Sequence, residues 1–90
     1  WELERKGSVI LSGLPATTTI NQNQYDALLS FAYNMGVGAL LKSTLFRKVK
    51  VNPNDETIRA EFNRWINAGG KPLKGLITRR KAEADLYFKQ

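Results

Sequence analysis

The chain has 90 residues, with 14 basic and 8 acidic side chains and a net charge of +6, which limits it to one small domain. It contains no cysteine and no histidine. This composition excludes a disulfide scaffold, metal sites built on thiolate or imidazole, and Ser-His catalysis, and we expect no metal and no cofactor. No apolar run approaches the ~20 residues that a transmembrane helix needs.

The first 20 residues give mixed signals. Residues 1–12 are compatible with a helix, with Gly7 as a weak point. Residues 13–20 predict a loop, because Pro15 and a run of threonines disfavour a helix.

A helix is predicted most clearly over residues 22–35. Asn21 followed by Gln24 matches a capping box. Apolar side chains then recur at helical spacing as far as Gly36, which predicts a left-handed stop.

The later segments also predict short helices, and no strand-like alternation is present. In chain order the patterns predict a tight turn at 36–38, a helical piece over 39–41, a helix over 44–50 capped by Ser43, a break at 52–55, an amphipathic helix over 55–66, a loop over 67–75 and a last helix over 75–88. The last helix has apolar positions at Leu76, Ile77, Ala84, Tyr87 and Phe88. We therefore predict an all-α fold, an irregular bundle of four to five short helices.

The basic side chains form two clusters, at residues 47–50 and at residues 79–81. They fit either solvated helix faces or a surface for an anionic polymer such as nucleic acid or the bacterial cell wall. No basic stripe interleaved with aromatic residues supports nucleic acid. For Arg79 and Arg80, the pattern fits one stem packed on the core and one surface charge.

Four blocks in the chain resemble, in the same order, the phage-type lysozymes of glycoside hydrolase family 24. They are residues 21–38 (NQNQYDALLSFAYNMGVG), 42–48 (KSTLFRK), 62–71 (FNRWINAGGK) and 73–83 (LKGLITRRKAE). The resemblance covers about residues 20–89. It implies a bacteriolytic endolysin of phage or prophage origin that hydrolyses peptidoglycan at the cell wall, cutting the β-1,4 link between N-acetylmuramic acid and N-acetylglucosamine.

The resemblance also implies that the catalytic lobe is missing. The family is two-lobed, and its catalytic glutamate, aspartate and threonine lie on the smaller N-terminal lobe. This chain resembles the larger C-terminal helical lobe: residues 21–90 form the helical core, and residues 1–12 can be read as the end of the inter-lobe helix. We expect a fragment that supplies one wall of the substrate cleft and is inactive alone.

The carboxylates of this chain agree with that expectation. Glycoside hydrolysis needs two of them on opposite sides of the scissile bond. Helix starts explain Asp26, Asp55 and Glu56, and residues 2 and 4 lie at the terminus. The remaining three, which we expect on charged helix faces, are Glu61, Glu83 and Asp85.

The candidate substrate-binding residues are Tyr33, Asn34, Met35 and Gly36, which by resemblance border the glycan groove, and Arg64. An amide side chain and backbone amides bind N-acetyl groups or hydroxyls, and a tyrosine packs on a sugar face. The alternatives are a core gap-filler for Met35 and a helix stop for Gly36. Arg64 fits either a contact to an anionic peptide stem or a surface salt bridge.

Two other functions stay open at this point. One is a non-enzymatic cell-wall binding module, and the other is a basic nucleic-acid binder that rests on charge alone. The expected partners are the peptidoglycan glycan strand and the missing N-terminal lobe. Self-association is also expected, through apolar residues that the missing lobe would leave exposed: Leu3, Val9, Ile10 and Leu11.

Overall fold

The structure is a computed structural model that describes residues 10, 12–15, 18–68 and 70–89. Within these residues the elements, in chain order, are α1 (Gln22–Met35), α2 (Val37–Lys42), α3 (Thr44–Val51), α4 (Ile58–Phe62), β1 (Asn67–Ala68), β2 (Lys71–Pro72) and α5 (Lys74–Tyr87). The predicted all-α class is confirmed, with one small hairpin as an addition. In the part of the chain described, no helix is long and apolar enough to cross a membrane.

Helix α1 has the predicted bounds. The Asn21 side chain accepts a hydrogen bond from the Gln24 backbone N–H at 2.8 Å, and the Gln24 side chain accepts one from the Asn21 N–H at 2.9 Å. At the other end, Gly36 has φ +102° and ψ 141°, so the positive φ is confirmed although the backbone is not in the left-handed helical region. The chain turns directly into α2, which is longer than the predicted piece over 39–41.

Helix α3 begins at the predicted cap. The Ser43 hydroxyl accepts from the Phe46 N–H at 3.0 Å and donates to the Leu40 carbonyl at 2.6 Å. One side chain thus satisfies a free donor at the start of α3 and gives the Leu40 carbonyl, which also accepts from the Ser43 N–H, a second hydrogen bond.

Helix α4 is much shorter than the predicted helix over 55–66. On its N-terminal side the Asp55 carboxylate accepts from the Thr57 N–H at 2.9 Å, which stabilises a turn. On its C-terminal side the Trp65 N–H donates to the Phe62 carbonyl at 3.1 Å. This i→i−3 bond tightens the last turn beyond α-helical geometry, so only five residues keep that geometry.

The hairpin lies inside the segment predicted as a loop. Asn67 pairs with Pro72 and Ala68 with Lys71 in an antiparallel register, and Gly70 has φ +81°. Strands of two residues carry little period-2 pattern, which explains why the sequence gives no strand signal. Helix α5 then begins one residue before its predicted start and ends one before its predicted end.

The core lies between α1 and α5 and is closed by α2, α3 and α4. Its fully buried apolar residues are Ile10, Ala27, Leu28, Phe31, Ala32, Leu40, Leu45, Phe46, Val49, Ile58, Phe62, Ala84 and Tyr87. The expected exposure of Ile10 is therefore wrong, since this side chain packs into the core. The other three residues of that expectation, at positions 3, 9 and 11, lie outside the described residues.

Candidate functional site

The candidate residues 33–36 occupy the C-terminal end of α1. Tyr33 is 62% exposed, and Asn34 is also exposed. Met35 is half-buried and packs against the core. The Gly36 N–H donates to the Ala32 carbonyl at 2.8 Å and its carbonyl accepts from the Leu40 N–H. The side chains of Tyr33 and Asn34 are thus the groups at this end that face solvent.

Tyr33 borders a shallow depression of about 290 Å³. Its lining residues are Asp26, Leu29, Ser30, Tyr33 and Arg79. An exposed aromatic ring beside an aliphatic side chain offers an apolar face, and the neighbouring polar groups offer hydrogen bonds. This combination is typical of sites that bind organic ligands such as sugars.

Arg64 lines a different depression, of about 460 Å³. The lining residues are Ala39, Lys42, Ser43, Thr44, Glu61, Arg64 and Trp65. The Arg64 side chain is 71% exposed, and its Nη1 lies 3.4 Å from Glu61 Oε1. The surface salt bridge is therefore present, and the structure does not bring Arg64 into the same depression as Tyr33.

Trp65 packs on the core, as expected for a residue spaced i+3 from Phe62 and i+7 from Ile58 in the predicted amphipathic helix over 55–66. Its ring meets Phe31 edge-on at 5.3 Å between centroids, and it is half-buried. The Phe31 ring also meets Phe62 edge-on at 6.0 Å. Edge-to-face geometry at these separations is favourable for aromatic pairs, and it holds Trp65 at the edge of the depression that it lines with Arg64.

A buried polar network lies directly behind Asn34. Arg80 is fully buried. Its Nη1 donates to Glu83 Oε1 at 2.5 Å, and its Nη2 donates to Asn34 Oδ1. The Ser30 hydroxyl donates to Glu83 Oε2 at 2.6 Å. The network therefore connects α5 to two residues of α1, one of which is a predicted site residue.

The prediction that Glu83 lies on a charged face is wrong, because its side chain is only 4% exposed. The same is true of Glu61, which is buried between Lys48 and Arg64. Burial raises the pKa of Glu83, and the hydrogen bond from Ser30 and the Arg80 charge act in the opposite direction. Burial likewise lowers the pKa of Arg80, against the attraction of Glu83.

A raised carboxyl pKa is what a general acid needs, but Glu83 is sealed from solvent by the groups that bind both its oxygens. Four other described carboxylates are also held locally: Asp26 by Gln22, Asp55 by Thr57, Glu61 by Lys48 and Arg64, and Asp85 by Arg59. Glu56 is exposed on the turn before α4. The hydrogen bonds from Thr57 lower the pKa of Asp55. None of these groups has the environment of a catalytic acid.

The predicted difference between Arg79 and Arg80 is confirmed. Arg79 is 44% exposed, and its Nε lies 3.6 Å from Glu83 Oε2, whereas Arg80 has no exposed surface. Ile77, one of the apolar positions predicted for this helix, is 43% exposed. The buried side of α5 is instead formed by Arg80, Glu83, Ala84 and Tyr87.

Comparison with known proteins identifies the family. The family model described as phage lysozyme matches residues 6–83, which is most of the chain. The chain belongs to the phage lysozyme family. All five candidate site residues of this phage lysozyme chain, 33–36 and 64, fall within the matched range.

Several endolysins are similar in sequence. The endolysin of Bacillus phage B103 is 44% identical over 69 residues, which cover 77% of this chain and 26% of that protein. The endolysin of Acyrthosiphon pisum secondary endosymbiont phage 1 is 42% identical over 76% of this chain and 49% of its own length. The SAR-endolysin of Bacteriophage PS119 is 46% identical over 67% of this chain and 35% of its own length. The chain thus spans between a quarter and a half of these relatives.

Proposed function

We propose that this chain is the helical lobe of a lysozyme that hydrolyses the β-1,4 link between N-acetylmuramic acid and N-acetylglucosamine in peptidoglycan. The observation that carries the proposal is the phage lysozyme match over residues 6–83. Relatives named endolysins support it. The proposed site of action is the bacterial cell wall.

In this proposal the lobe supplies one wall of the cleft, formed by Tyr33 and Asn34. The tyrosine ring packs on a sugar face, and the amide binds a polar group of the same strand. Met35 and Gly36 shape the wall through packing and backbone conformation. Arg64 lies in the neighbouring depression, where its cation, beside Lys42, attracts a carboxylate of the peptide stem.

The catalytic acid and base then come from polypeptide outside these 90 residues. The carboxylates of Asp55, Glu61, Glu83 and Asp85 support this, because their partners hold them in structural roles. We expect the open reading frame to encode a glutamate, followed by an aspartate and a threonine, ahead of Trp1. Self-association is not part of the proposal, since Ile10, on which it partly rested, is buried.

The test measures the release of new reducing ends from purified peptidoglycan. We expect no release by the 90-residue chain and release by a protein that also carries the preceding lobe. Tyr33→Ala should weaken sedimentation of the chain with cell walls, whereas Val51→Ala, at a position 83% exposed on α3, should not. Release of reducing ends by the chain alone would contradict the proposal that the catalytic acid and base lie outside these 90 residues. Wall binding by the chain with no lysis by the longer protein would favour a binding module.

A further inference from the structure

Arg80 makes an unusual set of contacts for a buried arginine. Its Nη1 hydrogen-bonds Glu83, its guanidinium lies 5.1 Å from the centroid of the Phe31 ring, and its Nη2 reaches outward to Asn34. The first two contacts fix the guanidinium inside the protein. The third connects this fixed group to a side chain that is exposed at the proposed cleft.

The chemistry of the two groups decides which way the Asn34 amide points. A guanidinium carries five N–H donors and no acceptor, so the Asn34 atom that meets Arg80 Nη2 has to be the oxygen. The amide nitrogen, with two N–H donors, is then directed away from Arg80. Within the described residues no acceptor meets this nitrogen, and Asn34 is exposed.

We propose that Arg80 is a positioning residue that holds Asn34 Oδ1 inward, so that Nδ2 donates a hydrogen bond to the acetamido carbonyl of a bound glycan. This inference deepens the proposed function and rests on its assignment of Asn34 to the cleft wall. An asparagine free to rotate presents either a donor or an acceptor to a ligand. An asparagine held by an arginine presents a donor only, and so selects ligands with an acceptor at that place.

The Arg80 guanidinium keeps its contact to Asn34 although one of its own donors is unpaired. Arg80 Nε is buried and has no hydrogen-bond partner within the described residues, although buried donors are nearly always satisfied. The guanidinium thus hydrogen-bonds Glu83 and Asn34 through its two terminal nitrogens, while its third nitrogen stays unpaired.

The anchoring of Glu83 makes the positioning rigid. Its second oxygen accepts from the Ser30 hydroxyl, and Ser30 lies one helical turn before Asn34 on α1. The arginine is therefore held on α5 by a carboxylate that is itself tied to α1. Precise placement of a recognition group depends on such supporting contacts.

The experiment compares two sugars that differ in the proposed acceptor. Tri-N-acetylchitotriose (chitotriose) carries an acetamido group on each ring, whereas cellotriose has a hydroxyl in its place. Each is titrated into the ¹⁵N-labelled 90-residue chain, and affinity is read from the shifts of the backbone amides of residues 33–36 and of the Asn34 side-chain NH₂ signals. We expect tighter binding of chitotriose, with the Asn34 NH₂ signals moving only with that sugar.

The decisive variant is Asn34→Asp. An aspartate still accepts from Arg80 Nη2, and as a charged pair it holds at least as well, but it has no donor for a carbonyl. We expect chitotriose affinity to fall about fivefold or more and the preference over cellotriose to disappear, with no loss of thermal stability. The matched control is Asn52→Asp, which adds the same charge at an exposed position whose Oδ1 accepts from the Asn54 N–H. It should bind as the parent does.

A second variant tests Arg80 itself without leaving a buried charge unpaired. Arg80→Met combined with Glu83→Leu removes both partners and keeps the volume, so the chain should remain folded with Asn34 in place. The preference for chitotriose should fall toward that of Asn34→Asp. An unchanged preference in a folded double variant would overturn the positioning role of Arg80.

The outcomes separate this inference from the function on which it rests. If chitotriose shifts the signals of residues 33–36 but Asn34→Asp binds it as tightly as the parent, the donor role is wrong and the cleft assignment stands. If chitotriose leaves these signals unmoved up to its solubility limit while other regions shift, the cleft assignment is wrong, and the inference fails with it.

Discussion

Two arginine–carboxylate pairs, each with its carboxylate on α5, have the same length and opposite environments. Arg80 Nη1 lies 2.5 Å from Glu83 Oε1, and Arg59 Nη1 lies 2.5 Å from Asp85 Oδ1. The first pair is 0% and 4% exposed, and the second is 45% and 57% exposed. The distance alone does not predict how much each pair contributes to the free energy of unfolding, because desolvation and screening by water depend on burial.

The difference in burial determines what each pair does in this fold. Inside the protein, an unpaired charge is very costly, so each member of the buried pair depends on the other. At the surface, water replaces a lost partner. The buried pair is therefore suited to hold Asn34 in one orientation. The surface pair contributes little to the contact between α4 and α5. These helices are joined instead by the aromatic side chains Phe62 and Tyr87, whose rings lie 5.7 Å apart.

The largest expected loss of stability comes from removing one member of the buried pair Arg80–Glu83. Arg80→Met should lower the free energy of unfolding by about 3–5 kcal/mol, because it leaves the buried Glu83 carboxylate without its buried cation and with only the half-exposed Arg79 beside it. Adding Glu83→Leu should restore most of that loss. Urea denaturation of both variants measures the difference, and an Arg80→Met cost below about 1 kcal/mol would mean that the pair is not desolvated as the structure indicates.

A smaller effect on the free energy of unfolding should appear at Tyr87, whose pKa is shifted by burial rather than by a nearby charge. Burial raises the pKa of the Tyr87 phenol, and its hydroxyl donates to the Pro53 carbonyl at 2.6 Å. The folded state thus keeps the proton at pH values where the unfolded chain ionises, near pH 10. Stability from this group is present below about pH 10 and is lost as the pH rises toward the raised value.

The expected slope is at most about 1.4 kcal/mol per pH unit. Urea denaturation between about pH 9 and 11 measures it, with Tyr87→Phe as the control that cannot titrate there. The difference in free energy of unfolding between parent and variant should shrink as the pH rises. A difference that stays constant across this range would show that the Tyr87 hydroxyl is not desolvated in the folded protein.

The buried stripe of α5 also shows where sequence patterns stop being sufficient. Arg80, Glu83, Ala84 and Tyr87 are spaced i, i+3, i+4 and i+7, which is the spacing of a core-facing side. A search for apolar residues passes over the two charged ones and selects Ile77, which is 43% exposed. Continuing the spacing backwards from Tyr87 would have placed Arg80 and Glu83 on the inner side.

Local signals, by contrast, predicted the elements that depend on neighbouring residues in the chain. The capping box of α1 and the Ser43 cap of α3 both involve partners three residues away, so the sequence alone places those helix starts. The five-residue α4 and the hydrogen bond from Arg80 to Asn34 depend on contacts between distant segments. A difference of 46 positions separates Arg80 from Asn34, and no local pattern encodes that approach.

The smallest effect is expected at the surface pair, where Asp85→Asn keeps the shape and removes the charge. Arg59 then loses its ionic partner but keeps its position above the Phe88 ring, 5.3 Å from the centroid, and water solvates the free cation. The free energy of unfolding should change by less than about 0.5 kcal/mol at moderate salt. A loss as large as that of Arg80→Met, measured by the same denaturation, would show that the short distance rather than burial determines what an ion pair contributes to α5.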